Sequence, residues 1–306
     1  MAEAAAVRGV GLSIDHAADD LGALGPALDR FESLGVNSVE LFLPAMGVVL
    51  GGGLQRRRLA TLRALCADRP FGFTAHGPLS CDLGDAATLE LQRDVCRAGL
   101  EAAGEIGASV YVQHQTIAPR PDLARDRLAC ERESLAALAP EAAAARCVLA
   151  VETMYCHAGE WTALPHELAE QLEALDNPWV GAVIDFSHGL LNAAARGADF
   201  LASVAALAPH ARHLHLHDSF GRPPAFRPWS RGDAMSFGFG DLHLPPGDGA
   251  LPWDSLAALP YGGPAIANLE LDARWAHEWP DAINWTRDWV ARLDAAPRLR
   301  TRAGRR

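Results

Sequence analysis

The sequence predicts a single-domain (β/α)8 barrel, on three observations. Short apolar runs rich in β-branched residues begin near Gly9, Ser38, Phe71, Ala108, Cys147, Trp179, Arg212 and Ala265. Helical patterns separate them, so that strand starts recur roughly every 30–40 residues, about the length of one βα unit. No Gly-rich GxGxxG turn follows the first run, which weighs against the rival doubly wound open sheet.

The helical patterns run from Leu21 to Leu34, Leu54 to Ala67, Ala86 to Ile106, Asp122 to Ala145, His166 to Leu175 and Asp199 to Leu207. A last one, Ala282 to Leu293, carries Trp285 and Trp289 one turn apart, a core-packing pair rather than a ligand box. The Gly51–Gly53 triplet marks a loop. The longest stretch without a periodic pattern is Ser219 to Gly240, rich in Gly, Pro, Phe and Arg, directly after the seventh run. Loops of that length inside compact domains tend to be functional, and a lid is expected here. The barrel is expected over residues 1–296. The five arginines of residues 297–306 read as a basic, disordered tail.

Composition narrows the function classes. At 306 residues and 49% hydrophobic, the chain can build a sizeable core. The net charge of −11 argues against nucleic acid as a partner, because phosphate contacts need basic side chains. All the basic residues are arginine, so Schiff-base chemistry and a P-loop lysine are excluded. The N-terminus lacks a signal-peptide pattern and no apolar stretch is long enough for a bilayer. Six cysteines without CxxC pairing read as free thiols, and the expected location is the cytoplasm. Cys156, just past a strand end, is not expected to act as a nucleophile.

The chemistry lies in how the strands end. FGFTAH closes on His76, ASVYVQH on His114, CVLAVE on Glu152, VGAVID on Asp185, RHLHLHD on His215 to Asp218, and AIANLE on Glu270. A polar group ending a buried strand is costly unless something binds it. Singly, each has an ordinary explanation: a hydrogen-bonded core histidine, a helix cap, or a turn for Asp185 and His188. None of these explains why all six sit at strand ends, where the C-terminal face of a barrel gathers its active site. Alternation puts His213, His215 and His217 on the inward face of their strand and Leu214 and Leu216 on the outward one. Mixed carboxylate and imidazole ligands suit Zn, Mn, Fe or Co better than Mg or Ca.

The motifs HGPLSCDL, YVQH, AVET, VIDFSH, HLHDS, DLHLPPGDG and NLELD together resemble the xylose isomerase-like TIM-barrel superfamily, which groups sugar isomerases and epimerases with endonuclease IV. In the isomerase and epimerase branch the resemblance implies one divalent metal on Glu152, Asp185, His215 and Glu270, with His188 against substrate. In the endonuclease branch it implies a multinuclear site that adds His76, His114, His188, Asp241 and His243. The local sequence departs from that second branch: AVIDFSH stands for its DTCH run, HQT for its HPG, and Leu79 for a DNA-distorting Tyr.

The expected function is therefore a metal-dependent isomerase or epimerase of a small sugar, polyol or related hydroxy-carbonyl compound. Glu152 and Glu270 would move the proton and His188 would orient a hydroxyl. His76, His114, His217, Arg222, Arg227 and Arg231 are candidate substrate contacts. Alternatives are a multinuclear phosphoesterase, acting on abasic DNA or another phosphodiester, and a metal-binding subunit without catalysis. The sequence leaves a homo-oligomer open.

Overall fold

A computed structural model describes residues 7–14 and 21–295. The basic run 297–306 lies outside the described residues. The eight barrel strands are β1 (Val7–Ser13), β2 (Ser38–Phe42), β3 (Gly72–His76), β4 (Ala108–His114), β5 (Val148–Glu152), β6 (Val180–Asp185), β7 (Ala211–Leu216) and β8 (Ala265–Leu269). Each pairs in parallel with its sequence neighbour, and β1 pairs with β8 to close the barrel. All eight expected starts fall within two residues of an observed strand.

The helices are α1 (Leu21–Leu34), α2 (Arg56–Cys66), α3 (Leu89–Glu105), α4 (Ala124–Ala145), α5 (Pro165–Leu175), α6 (Phe186–Arg196), α7 (Phe200–Leu207), α8 (Arg231–Phe237), α9 (Trp253–Ala257) and α10 (Trp279–Ala295), with a single turn at Leu43–Met46. Three of them correct the sequence reading. The first is α6: DFSHG reads locally as a turn, yet Asp185 caps a helix there by accepting the His188 backbone N–H at 2.8 Å. The second is α8, which interrupts the stretch expected to be without structure and is capped by Ser230. The third, α9, is too short to show a period. The Gly51–Gly53 loop is the turn of a small hairpin pairing Val49–Leu50 with Gly53–Leu54.

Alternation divides the core. Inside the barrel, Val110, Val112, Ala150 and Val183 form a small apolar cluster beneath the strand ends. Leu149, Val151, Ile184, Leu214, Leu216 and Leu269 face the helices and join the main core. Helix α10 closes the shell with Trp289, fully buried against Trp253 and Phe186. All six cysteines are free. No described helix is long and apolar enough to cross a membrane.

Glu131 of α4 ties the strand layer to the helices. Its carboxylate accepts from the Thr116 backbone at 2.6 Å and from the Gln171 amide at 2.9 Å. Burial pushes its pKa up to about 7 against these two hydrogen bonds. The folded protein therefore holds this proton more tightly than the unfolded chain. The resulting stability is fully present below about pH 4.5 and is lost as the pH rises through about 7. Melting curves between those values should show the wild type losing stability relative to Glu131→Gln as the pH rises. Parallel curves would assign the acid no part in the pH response.

Candidate metal centre

The inward positions at the C-terminal ends of the strands converge on one pocket. Glu152 closes β5 and is 1% exposed, Asp185 closes β6, and His215 projects from β7, both at 0%. Glu270 follows β8 directly. His215 Nδ1 lies 3.1 Å from Glu152 Oε1, 3.2 Å from Glu270 Oε2 and 3.9 Å from Asp185 Oδ2. These four residues thus present ligand atoms to a common point. Asp185 does two jobs: Oδ1 caps α6 while Oδ2 meets His217 Nε2 at 2.7 Å.

Further imidazoles surround this core. His76 and His114 bring Nε2 to 3.2 and 3.5 Å from Glu152 Oε2. On the opposite flank, His188 and His243 bring Nε2 to 3.4 and 2.6 Å from Asp241 Oδ2. His217 and His243 stack with ring centroids 4.1 Å apart. All nine residues anticipated for a multinuclear site therefore meet in one place, joined by His217.

The outer nitrogens explain the orientations. Nδ1 of His76 donates to Gly77 O, that of His114 to Leu79 O, that of His188 to Thr153 O and that of His243 to Glu270 O, at 2.7–3.0 Å. A carbonyl can only accept, so each Nδ1 carries a proton and each Nε2 turns inward. Such outer-nitrogen anchoring is the usual support of a metal-ligating histidine. The backbone serves it locally. A Cβ at position 77 would lie 2.4 Å from Tyr111 Oη, so the glycine lets the chain pass close to that ring. His243 adopts φ 50, a left-handed conformation uncommon for non-glycine residues and found at functional sites.

Electrostatics test whether a cation fits. Burial alone would raise the acids. The His215 charge, with its hydrogen bond at 3.1 Å, instead holds Glu152 well below the usual carboxylate range. Asp241 is likewise held well below its range, by His243, His217 and His188. Burial pushes His114 down to about 4, whereas the neighbouring carboxylates, against burial, raise His76 and His243 to about 9 and hold His188 and His215 well above the ordinary imidazole value, so the acids already draw positive charge into the pocket. His217 Nδ1 and Asp241 Oδ1 are buried, have no hydrogen-bond partner and stand 3.5 Å apart. Converging carboxylates, inward-turned imidazoles and two orphaned polar atoms suit a divalent cation of the borderline class.

One buried acid of the pocket is absent from the sequence-based set. Glu40, in the middle of β2, contacts His213 and His215. Its run, SVELF, has no polar residue at its end and so gives no ligand signal; the inward phase of Glu40 was the available clue.

The excursion between Ser219 and Gly240 leaves the barrel beside His217 and returns at Asp241. Phe226, Phe237 and Phe239 pack together in it, and Trp229 is 99% exposed. Arg231 pairs with Asp272 at 2.5 Å, two residues beyond Glu270. Arg222 lies over the Phe220 ring and donates to Phe237 O, and Arg227 is exposed. Of these three arginines, Arg231 is thus the one tied to a loop that follows a candidate ligand. Tyr155 packs on His188 with ring centroids 5.1 Å apart at the same rim. Cys156 hydrogen-bonds Glu160 O and touches none of the cluster.

Fold and pocket define a parallel-barrel protein with a carboxylate–imidazole cluster at the C-terminal mouth. The chain belongs to the xylose isomerase-like TIM barrel family, whose profile matches residues 28–289. Similar solved structures include a D-tagatose 3-epimerase-like protein, at 16% identity and TM-score 0.68, covering 94% of this chain and 99% of that one. A D-psicose 3-epimerase crystallised in the presence of D-fructose is 15% identical with TM-score 0.67, covering 92% and 99%. A protein from Thermus thermophilus, soaked with ZnCl2, is 22% identical with TM-score 0.62, covering 90% and 98%. No curated protein sequence matches.

Proposed function

We propose that the protein is a divalent-metal-dependent isomerase or epimerase acting on a small sugar, polyol or related hydroxy-carbonyl compound. The observation that carries this reading is the pair of glutamates, Glu152 and Glu270, approaching one His215 nitrogen from different strands at 3.1 and 3.2 Å. The epimerase names of two structural neighbours support it. Glu152, Asp185, His215 and Glu270 would hold the ion. A bound Zn, Mn, Fe or Co ion would polarise a carbonyl or adjacent hydroxyls of the substrate. Glu152 and Glu270, reaching the substrate from two sides, take a proton from carbon and return one, as general base and acid. His188, fixed through Nδ1 on Thr153 O, presents Nε2 to a substrate hydroxyl. His76, His114 and His217 are further candidate substrate contacts on the pocket wall.

The segment 219–240 acts as the lid of this site, and Arg231 is its candidate anion contact. Arg231→Ala should raise KM for a phosphorylated or carboxylated sugar much more than for its neutral analogue, measured side by side. Equal changes for both would remove Arg231 from substrate recognition.

Metal-loaded protein incubated with a panel of ketohexoses in D2O should produce epimers carrying solvent deuterium next to the carbonyl, with about one metal per chain. A second reading, a multinuclear phosphoesterase, is favoured by the five added residues His76, His114, His188, Asp241 and His243 meeting in the same pocket. Two or three metals per chain, with cleavage of an abasic-site duplex and no deuterium in any sugar, would replace the first reading with the second. Against the second stand the net charge of −11 and Leu79.

A further inference from the structure

Beneath the candidate ligands lies a buried polar layer that the reaction above does not use. Ser13, Glu40 and Thr74 are lateral neighbours in register on β1, β2 and β3. The Glu40 carboxylate, 2% exposed, accepts from Ser13 Oγ at 3.0 Å, Thr74 Oγ1 at 3.3 Å, Asn268 Nδ2 at 3.4 Å and His213 Nε2 at 2.9 Å. Its remaining contact is His215 Nε2, 3.2 Å from Oε1.

We propose that Glu40 is a positioning residue of the metal centre: by accepting the Nε2–H of His215 it turns Nδ1 of that ring toward Glu152, Asp185 and Glu270. The four outer imidazoles lie near loops, where free carbonyls receive their outer N–H. His215 is enclosed by the barrel, where strand carbonyls are committed to the parallel ladder. A side chain must supply the acceptor, and Glu40 is the carboxylate within reach. Because it is anionic, it also strengthens the inward nitrogen as a donor to a cation, as carboxylates behind metal-bound histidines do. The barrel interior also holds an apolar cluster of Val110, Val112, Ala150 and Val183. A buried carboxylate in such a setting is costly and contributes little net stability. The donors locked onto it from Ser13, Thr74, Asn268, His213 and His215 make it a fixed support rather than a group free to collect protons from a substrate.

This inference rests on the metal-centre reading, and the test separates the two. Affinity for Co(II) or Zn(II) is measured by chelator competition on wild type, Glu40→Gln and Glu152→Gln, together with the melting temperature of each metal-free protein. Glu40→Gln should keep the wild-type stoichiometry, bind roughly 10–100-fold more weakly, and melt within a few degrees of wild type. Its Co(II) absorption spectrum should shift, because the His215 ring is no longer held in one orientation. Glu152→Gln should lose binding. Unchanged affinity and spectrum in Glu40→Gln, beside lost binding in Glu152→Gln, overturn the positioning role alone. A metal equivalent that vanishes with Glu40 makes it a ligand and likewise overturns it. A wild type that binds no divalent metal overturns both readings.

Discussion

Changing Glu152 or Glu270 to Gln should lower kcat by about 10²–10⁴-fold, the range that a positioned acid or base contributes. Gln preserves shape and removes both the charge that attracts a cation and the basicity that accepts a proton. The effect should be catalytic rather than structural. Neither residue belongs to the apolar clusters; Glu152 is the last residue of β5 and Glu270 follows β8 directly, and Gln keeps the backbone pairing of both strands. Glu152 should be the more damaging change, since His76, His114, His188 and His215 all approach its two oxygens within 3.5 Å. Turnover under saturating metal, with circular dichroism as a check on the fold, measures both variants. Near-normal turnover in the pair would sink the assignment of these glutamates.

Trp289→Ala should destabilise the barrel by about 3–5 kcal/mol, the cost of emptying a fully buried aromatic site. For a domain of this size that corresponds to roughly 5–10 °C in melting temperature. Trp289 is fully buried, and its indole N–H donates to Trp253 O at 3.0 Å. Its ring meets Trp253, Phe186 and Tyr261 edge-on. Phe186 opens α6 immediately after Asp185, so the cavity would also loosen the base of the candidate metal pocket. Metal affinity should therefore fall along with stability. A variant melting within a degree of wild type would show that α10 can repack without it.

Much of the barrel was written in the sequence because a strand buried on both faces must be short and apolar, and the helices between carry their own period. The breaks in legibility have local causes. Helix α6 begins with Phe186, Ser187, His188 and Gly189, poor helix formers whose start is fixed by the Asp185 cap and by packing of Phe186 on Trp253. Helix α8 starts after a Pro-rich run and rests on the loop after β8 through Arg231 and Arg274, a long-range contact with no local signature. The sequence singled out Trp285 and Trp289 as packing residues, and both lie in the aromatic cluster.

For the site, the sequence by itself singled out the candidate ligands, most of them as polar groups closing apolar runs. A polar group closing an apolar run is visible without any contact being known. It determined the inward face of β7 as well, because alternation is a property of the strand alone. The tertiary structure alone decided distance and direction. Residues as far apart as His76 and His243 meet only because closing the barrel brings β3 and the segment before β8 to one mouth. Which nitrogen a ring turns inward depends on the outer carbonyl it meets, and for His114 and His188 distant segments supply it, Leu79 and Thr153. Glu40 could be placed only by the fold, for the same reason: its partners His213 and His215 lie across the barrel interior, 173 and 175 residues away in the chain.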